Sequence, residues 1–409
     1  MPGWKRYWLA ALVGAMAWGS VACGAVRTPG PLAAPADPAA ARTIAAADNA
    51  LGFALLERVT GAAPGSNVLI SPPSLAIDLA MLYNGARGQT AVGMARVLHV
   101  EALGVPQVNT GNAALLRALA SPGQGVTLDI ANSLWANANV HLAPAFLKTD
   151  ARYYGAKVAN VSFSSPQAVR EINAWAYENT GGLIPRLVQR LPAQGVLELL
   201  DAVYFQGTWQ TGFNPANTHA ARFTDAAGGT LTLPLMSETG IFPYYQGAGY
   251  QVLALPYGGG RFRLEVVLPT RGAALPHDIA GAWITWQAEL QPRPVSLTLP
   301  RFTLTDTNAL VGPLAALGMT DAFAPQANFS GLCGAMACQV SSVLQKTYLR
   351  VDEAGTTAAG ATALGVTATA AMEIPAPARM DVNHPFLCAV VDQTTGAVLF
   401  VGVVDNPRA

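Results

Sequence analysis

Residues 352–372 read DEAGTTAAGATALGVTATAAM. From Thr356 to Met372 this segment contains no charged residue, no proline and no aromatic residue. Strand-like sequence lies on both sides of it, and the C-terminus follows within a few dozen residues. Linkers between domains usually carry serine, proline or charge. The composition therefore favours a latent β-strand over a flexible linker.

Alternate residues of a strand face the same side, and in this segment one such set is entirely small or apolar. Its members are Thr356, Ala358, Gly360, Thr362, Leu364 and Val366. A face of this kind can enter the interior of a sheet at little steric or desolvation cost, whereas an unpaired charge would cost on the order of several kcal/mol. We expect a segment that is exposed in one state of the protein and buried in another.

The surrounding chain has the pattern of one large α+β domain, helix-rich first and strand-rich later. Apolar residues at helical spacing begin near Thr43, and Ser71 is placed to cap a helix that starts with two prolines. Strands are predicted over 67–70, 126–135, 197–209, 295–305 and 340–351. No internal repeat and no linker interrupts the sequence after residue 45.

Composition narrows the classes of function. Of the 409 residues, 51% are hydrophobic and only 12% are charged, and the formal net charge is zero. A nucleic-acid binder would need a basic face, so none is expected. The sequence has no P-loop, no G-x-G-x-x-G and no G-x-S-x-G, and its five histidines are scattered. We expect no metal, no cofactor and no enzymatic activity, although a hydrolase with a triad assembled in space stays an alternative.

The N-terminus has the features of an export signal. Lys5 and Arg6 precede an uncharged run that ends near Cys23, and this run is shorter than a bilayer-spanning helix requires. Residues 20–23 (SVAC) resemble a bacterial lipoprotein cleavage box. Lipidation of Cys23 and simple cleavage with release are equally weighted alternatives. We assign 1–23 to the signal, 24–44 to a Pro/Ala-rich tether, and the protein to the extracellular space or the cell-surface or periplasmic side of the membrane.

The cysteines agree with export. Cys333 and Cys338 are separated by four residues and are candidates for a disulfide in an oxidising compartment. Cys388 lies in an apolar run and is expected to be a buried thiol.

Several motifs together resemble the serpin family. They are NVLISPPS (67–74), MLYNGA (81–86), GQT (88–90), DAVYFQGTW (201–209), LPY (255–257), LPRF (299–302), FSGL (329–332), DEAGT (352–356), HPF (384–386) and LFVG (399–402). The resemblance spans roughly residues 45–407. It implies a serpin domain over 45–409 with a large central mixed sheet, additional sheets, about nine helices and an exposed reactive-centre loop at about 355–377.

The resemblance also implies a mechanism, inhibition of serine proteases as a suicide substrate. A target protease cleaves the exposed loop and forms an acyl-enzyme. The cut loop then inserts into the central sheet as a new strand and carries the protease with it before deacylation. The alternative within the family is a non-inhibitory serpin that acts as a binding or surface-interaction protein.

Inhibitory serpins have small residues in the loop hinge, and this sequence fits. The matching positions are Glu353, Gly355, Thr356, Thr357, Ala358, Ala359, Gly360, Ala361 and Thr362. Thr357 departs from the family, which often has Glu there. Because threonine is well tolerated in strands, we do not expect it to block insertion.

Two ways of counting along the loop place the cleaved bond at different positions. Counting from Glu353 gives Thr369–Ala370, whereas counting back from His384 gives a position near Ile374, with Met372 and Glu373 between them. No Arg or Lys lies in this window, which argues against a trypsin-like target. We expect an elastase-like or subtilisin-like protease as the partner, and a monomeric inhibitor.

The resemblance assigns a second site, the region where the sheet opens, to Ser71, Ser74, Asp201 and Gln345. Serpins usually have Asn and His at the positions of Asp201 and Gln345. A carboxylate can accept a hydrogen bond from an amide, so the pair can still close the sheet. A buried Asp introduces pH sensitivity, and we expect the native state to be less robust at low pH.

Overall fold

The structure is a computed structural model that describes residues 37–247, 249–273, 275–356 and 376–408. Over these residues the helices are α1 (Pro38–Ala62), α2 (Pro72–Tyr83), α3 (Gly88–Val97), α4 (Val105–Leu119), α5 (Pro144–Tyr153), α6 (Pro166–Asn179), α7 (Ile279–Glu289), α8 (Val311–Leu314) and α9 (Ser330–Cys333). No helix in these ranges is both long enough and apolar enough to cross a membrane.

The strands alternate with these helices and dominate the second half of the chain. They are β1 (Val68–Ile70), β2 (Val126–Asn137), β3 (Lys157–Val161), β4 (Leu197–Thr208), β5 (His219–Thr224), β6 (Thr230–Gly247), β7 (Tyr250–Tyr257), β8 (Phe262–Pro269), β9 (Gln291–Pro300), β10 (Phe302–Ala309), β11 (Val340–Val351), β12 (Gly355–Thr356), β13 (Ala378–Asp381), β14 (Phe386–Asp392) and β15 (Val398–Val404).

The central sheet has the order β10-β11-β4-β2-β3, and β12 pairs with β4. It is mixed, because β11 runs parallel to β4 and β2 runs parallel to β3, whereas the other pairs are antiparallel. The strands that the sequence predicts over 126–135, 197–209 and 340–351 are all members of this sheet.

A second sheet has the order β1-β15-β14-β8-β7-β6-β9-β13, with β5 paired to β6. Its longest strand, β6, pairs first with β5, then with β9 and finally with β7. The sheet therefore has two parts that share β6. Strand β13, which follows the predicted reactive-centre loop in the sequence, pairs with β9 and so lies in the part of the sheet that contains β9.

Strand β4 is buried on both faces, as a strand in the middle of a covered sheet must be. Leu199, Val203 and Phe205 belong to the main hydrophobic core. Leu200 and Ala202 belong to a second, smaller core that includes Ile172 and Ala176 of α6. One face of β4 therefore points to the main core and the other towards α6.

Four elements differ from the sequence predictions. Helix α1 begins at Pro38, inside the predicted tether, because the Asp37 carboxylate caps it by accepting from the amides of Ala39 and Ala40. Helices α4 and α7 were not predicted. The predicted strand over 295–305 is two strands, β9 and β10, which separate at Arg301 and enter different sheets.

Cys333 and Cys338 form a disulfide with a Cα–Cα distance of 6.4 Å. It joins the end of α9 to the residues that precede β11. Cys388 is a free, fully buried thiol in β14, and burial raises its pKa to about 12.

Candidate functional site

The candidate site lies where β4 and β11 pair, a line that we call the seam. Parallel pairing runs from Leu197 with Val340 to Tyr204 with Tyr348. Beyond Tyr204 the partner of β4 is β12, with Gly355 opposite Thr208 and Thr356 opposite Gly207. The first residues after the predicted hinge glutamate are therefore already an antiparallel strand on the edge of β4.

A tight reversal brings β12 back from β11 to β4. The Asp352 amide donates to the Gly355 carbonyl at 2.8 Å, and the Gly355 amide donates back at 3.2 Å. Gly355 has φ +136°, a conformation that residues with a Cβ rarely adopt. A Cβ at this position would lie 2.1 Å from the Gly207 carbonyl oxygen and 2.8 Å from the Trp209 amide nitrogen. Only glycine fits between the reversal and β4.

Trp209, the residue after β4, holds the backbone of this reversal. Its amide donates to the Ala354 carbonyl at 3.0 Å, and its indole Nε1 donates to the Asp352 carbonyl at 2.8 Å. The indole ring stacks on Tyr257 with 4.3 Å between ring centroids. The Phe213 amide adds a bond to the Glu353 carbonyl at 2.9 Å. A rigid aromatic group thus anchors the base of the loop.

The Glu353 side chain makes a separate polar anchor. Its Oε1 accepts from Arg301 Nε at 2.6 Å and from Thr218 Oγ1 at 2.5 Å. Desolvation acts to raise its pKa, but the hydrogen bonds from Arg301 and Thr218 and the charge of Arg301 outweigh desolvation, and the pKa of Glu353 lies below its usual value. Arg301 stands at the point where β9 and β10 diverge, so Glu353 ties the hinge to both sheets.

The four predicted sheet-opening residues meet under the seam. Gln345 is directly opposite Asp201 and donates from Nε2 to Asp201 Oδ2 at 3.3 Å. The same amide donates to the Ser71 carbonyl at 3.0 Å and accepts from the Ser71 amide at 2.8 Å. The Ser74 carbonyl accepts from Asn132 Nδ2 of β2 at 2.7 Å. These contacts fasten the start of α2 to three strands of the central sheet.

Two details differ from the sequence predictions. The Ser71 hydroxyl makes no capping hydrogen bond, and its Oγ has no partner. Burial raises the pKa of Asp201 well above its usual value, although Gln345 and Ser74 oppose the shift. A raised carboxyl pKa means that stability is greatest when the group is protonated and falls as pH rises. The expectation of a weaker native state at low pH therefore has the wrong sign.

Sequence reasoning missed several residues of this site, namely Asp78, Asn132, Trp209, Thr218 and Arg301. A signal existed for Asp78, which is the single charged residue in the apolar run PPSLAIDLAMLY of α2. The remaining predicted residues, Thr357–Thr362, the candidate cleavage positions from Thr369 to Ile374, and Cys23, lie outside the described residues.

A family model described as Serpin (serine protease inhibitor) matches residues 46–407. The chain belongs to the serpin family. An uncharacterized serpin-like protein of Thermococcus kodakarensis is 34% identical over 370 residues, 88% of this chain and 85% of that protein. The leukocyte elastase inhibitor of Bos taurus is 33% identical over 387 residues, 89% of this chain and 99% of that inhibitor.

Among solved structures, the native state of the thermophilic serpin tengpin superposes with a TM-score of 0.81 at 28% identity, covering 89% of this chain and 93% of tengpin. The predicted fold, an α+β serpin fold with a large mixed central sheet, is confirmed. The family to which the chain belongs is described as one of serine protease inhibitors.

We predict that Gly355→Ala weakens the hinge, because the new Cβ overlaps the backbone of β4 and the φ angle is strained. The free energy of unfolding should fall by about 1–3 kcal/mol, the usual cost of such strain. Denaturant unfolding followed by tryptophan fluorescence measures the change. Gly61→Ala in α1 is the matched control, because its Cβ meets open space. Equal stabilities of the two variants would contradict the assigned geometry.

We also predict a pH-dependent cost for Glu353→Gln. Since the pKa of Glu353 is lowered in the native state, its stabilisation is present above the usual carboxyl pKa and is lost as pH falls. At pH 7 the variant should be less stable by about 1 kcal/mol, with allowance for screening of the half-exposed Arg301. At pH 3 the difference should shrink, as judged from urea midpoints. Exposed Glu101→Gln serves as control, and a difference independent of pH would refute the ion pair.

Proposed function

We propose that this chain inhibits serine proteases as a suicide substrate, by cleavage of the loop after β12, acyl-enzyme trapping and insertion of the loop between β4 and β11. The observation that carries the proposal is the pairing of Gly355 and Thr356 with the end of β4. These two residues are in the direction and register that an inserted strand would continue.

Extending this register down the seam assigns a partner to each following residue. Because the pairing is antiparallel, each further loop residue meets the preceding residue of β4. Thr362 then lies opposite Asp201, and Val366 lies opposite Leu197, the first residue of β4. The twelve residues of β4 would be matched by residues 355–366.

The two faces of such a strand suit the two cores. Residues opposite each other in neighbouring strands share a face. Ala358, Gly360 and Leu364 would join the main core, because their partners are the core residues of β4 on that side. Ala361 and Ala363 would face α6, opposite Ala202 and Leu200. Their small size fits a face that a packed helix already covers.

Insertion also improves the pairing of the sheet. At present β4 and β11 pair in parallel. A strand between them that runs against both would replace one parallel ladder with two antiparallel ladders, which are slightly more stable per residue. The closed seam would thus be the higher-energy arrangement, and cleavage of the loop would release the strand that fills it.

The sequence supports a target class and a location for the proposed inhibitor. The candidate bonds at Thr369–Ala370 and at Met372, Glu373 and Ile374 contain no basic residue, which suits elastase-like or subtilisin-like proteases. The bovine relative is a leukocyte elastase inhibitor, which agrees with the first class. The inhibitor would act as an exported monomer, either released or tethered through a lipidated Cys23.

Incubation of the protein with an elastase and with subtilisin tests the proposal. We expect a covalent complex that survives denaturing gel electrophoresis, and the mass of the released C-terminal peptide identifies the bond. Cleavage without a complex would overturn the proposal and favour a non-inhibitory serpin, a candidate that the unusual Asp201–Gln345 pair supports.

The register has its own test in Thr362→Glu and Thr357→Glu. In the extended register residue 362 enters the main core beside Asp201, whereas residue 357 would face the α6 side near the end of the sheet. Because a buried charge costs several kcal/mol and about 1.4 kcal/mol is tenfold in rate, Thr362→Glu should raise the moles of inhibitor consumed per protease at least about tenfold. Thr357→Glu should change this stoichiometry little. Equal effects would contradict the register.

A further inference from the structure

The strongest feature outside the hinge is a pair of buried carboxyl groups beneath the seam. Asp78 lies in α2, which packs against β2, β4 and β15, and it is completely buried. Within the part of the chain that the structure describes, neither of its carboxyl oxygens has a hydrogen-bond partner. Unpaired buried charge is among the most costly features that a fold can contain. Asp78 is therefore either neutral or a source of considerable strain.

Asp201 of β4 is the second member of the pair, and it is also completely buried. Among the described residues its Oδ1 has no hydrogen-bond partner, and its Oδ2 accepts a long bond from Gln345 at 3.3 Å. Two carboxylates near each other in an apolar interior cannot both ionise readily. Burial raises the pKa of Asp78 well above its usual value, and a charge on Asp201 raises it further.

The other polar groups around the pair do not supply a positive charge. A charge on Asp150 of α5 also raises the pKa of Asp78, and burial raises the pKa of Asp150 itself to about 7. The groups that oppose these shifts are neutral: Asn132 near Asp78, and Gln345 and Ser74 near Asp201. The Asn132 amide is already committed to Ser74. Protons are thus the remaining means of neutralising the pair.

A further carboxyl group lies on the other face of β4. Glu198 is opposite Ser342 of β11, which donates a hydrogen bond to it, and its Oε1 has no partner. Burial raises the pKa of Glu198 to about 7. On each face of the seam, β4 therefore carries a buried carboxyl group, and the residue opposite it on β11 has a neutral side chain.

We propose that Asp78 and Asp201 act as a coupled pair of buried carboxyl groups that holds the seam closed when protonated and favours its opening when ionised. Separation of β4 from β11 breaks the Gln345–Asp201 bond and admits water to the pair. The open state then ionises more easily than the closed state. The pair positions the strands and takes no part in the chemistry of cleavage.

The sign of the effect follows from proton linkage. The closed state binds more protons than the open state, so raising the pH favours opening. For one proton released, the equilibrium constant for opening rises by up to about tenfold per pH unit across the range in which the closed state is protonated and the open state is not. Any effect of this pH dependence on inhibition rests on the proposed function, whereas the pH dependence of sheet opening itself does not.

The test measures seam opening without a protease. A synthetic peptide with the sequence of residues 356–369 is added in excess to the full chain, and its uptake is followed by native gel from pH 5 to pH 9. Wild type should take up the peptide faster as pH rises. Asp78→Asn and Asp201→Asn should each flatten this profile, with the slower uptake most evident at pH 9. Glu101→Gln, an exposed site, should follow wild type.

Pairing predicts non-additivity, because neutralising either residue relieves the same repulsion. The double variant should therefore slow peptide uptake at pH 9 little more than the more effective single variant does. A flat wild-type profile, or additive single effects, would overturn the proposal. So would slowing by millimolar Ca²⁺ at pH 9 that a chelator reverses, since a cation and not a proton would then neutralise the pair. Urea midpoints over the same pH range separate these results from a variant that simply fails to fold.

Discussion

The structure depends on the parallel pairing of β4 with β11. This ladder closes the central sheet, and in the proposed mechanism the segment after Thr356, whose composition suits a strand, pairs there instead. Every feature of the site acts on this one ladder. The hinge starts a competing ladder at its upper end, Gln345 and Asp201 bridge its middle, and the disulfide precedes its lower end on the β11 side.

Two kinds of contact hold the hinge from which the proposed inserted strand would continue. Trp209 and Phe213 hold the backbone of the hinge, and Arg301 holds the Glu353 side chain. These contacts hold the residues that precede the start of the proposed inserted strand. The buried carboxyl groups lie beneath the seam, where we propose that they respond to protons. In the two proposals, hydrogen bonding holds the hinge, and charge in the core acts on the seam.

The sequence was informative where a single physical rule applied. Strand-like sequence over 197–209 and 340–351 predicted β4 and β11, whereas the latent strand predicted from the period-two set of small residues lies almost entirely outside the described residues. Helix α7 was missed because it carries apolar residues on both its buried and its exposed sides. Trp283 and Trp286 are buried, while Ile284 is 72% exposed. No amphipathic pattern is therefore visible in the sequence. The break at Arg301 was missed because β9 and β10 read as one continuous strand, and their entry into different sheets is a tertiary feature.

Asp78 shows a different limit. A lone charge in an apolar helix can be recognised in the sequence, but its partner Asp201 is over a hundred residues away, and only the packing of α2 against β4 brings the two together. The sign of the pH effect also needed the structure. Whether a buried carboxyl has a raised or a lowered pKa depends on the groups that face it, and those at Asp201 are neutral amide and hydroxyl groups in place of a cation.

Thermal unfolding before and after cleavage of the loop is the most direct test of the account. If residues 355–366 insert along the seam, limited cleavage should convert the protein to a form with a much higher unfolding midpoint, because two antiparallel ladders replace one parallel ladder. An unchanged or lower midpoint, with the cleavage confirmed by mass spectrometry, would show that the cut segment stays outside the sheet and would contradict the central claim.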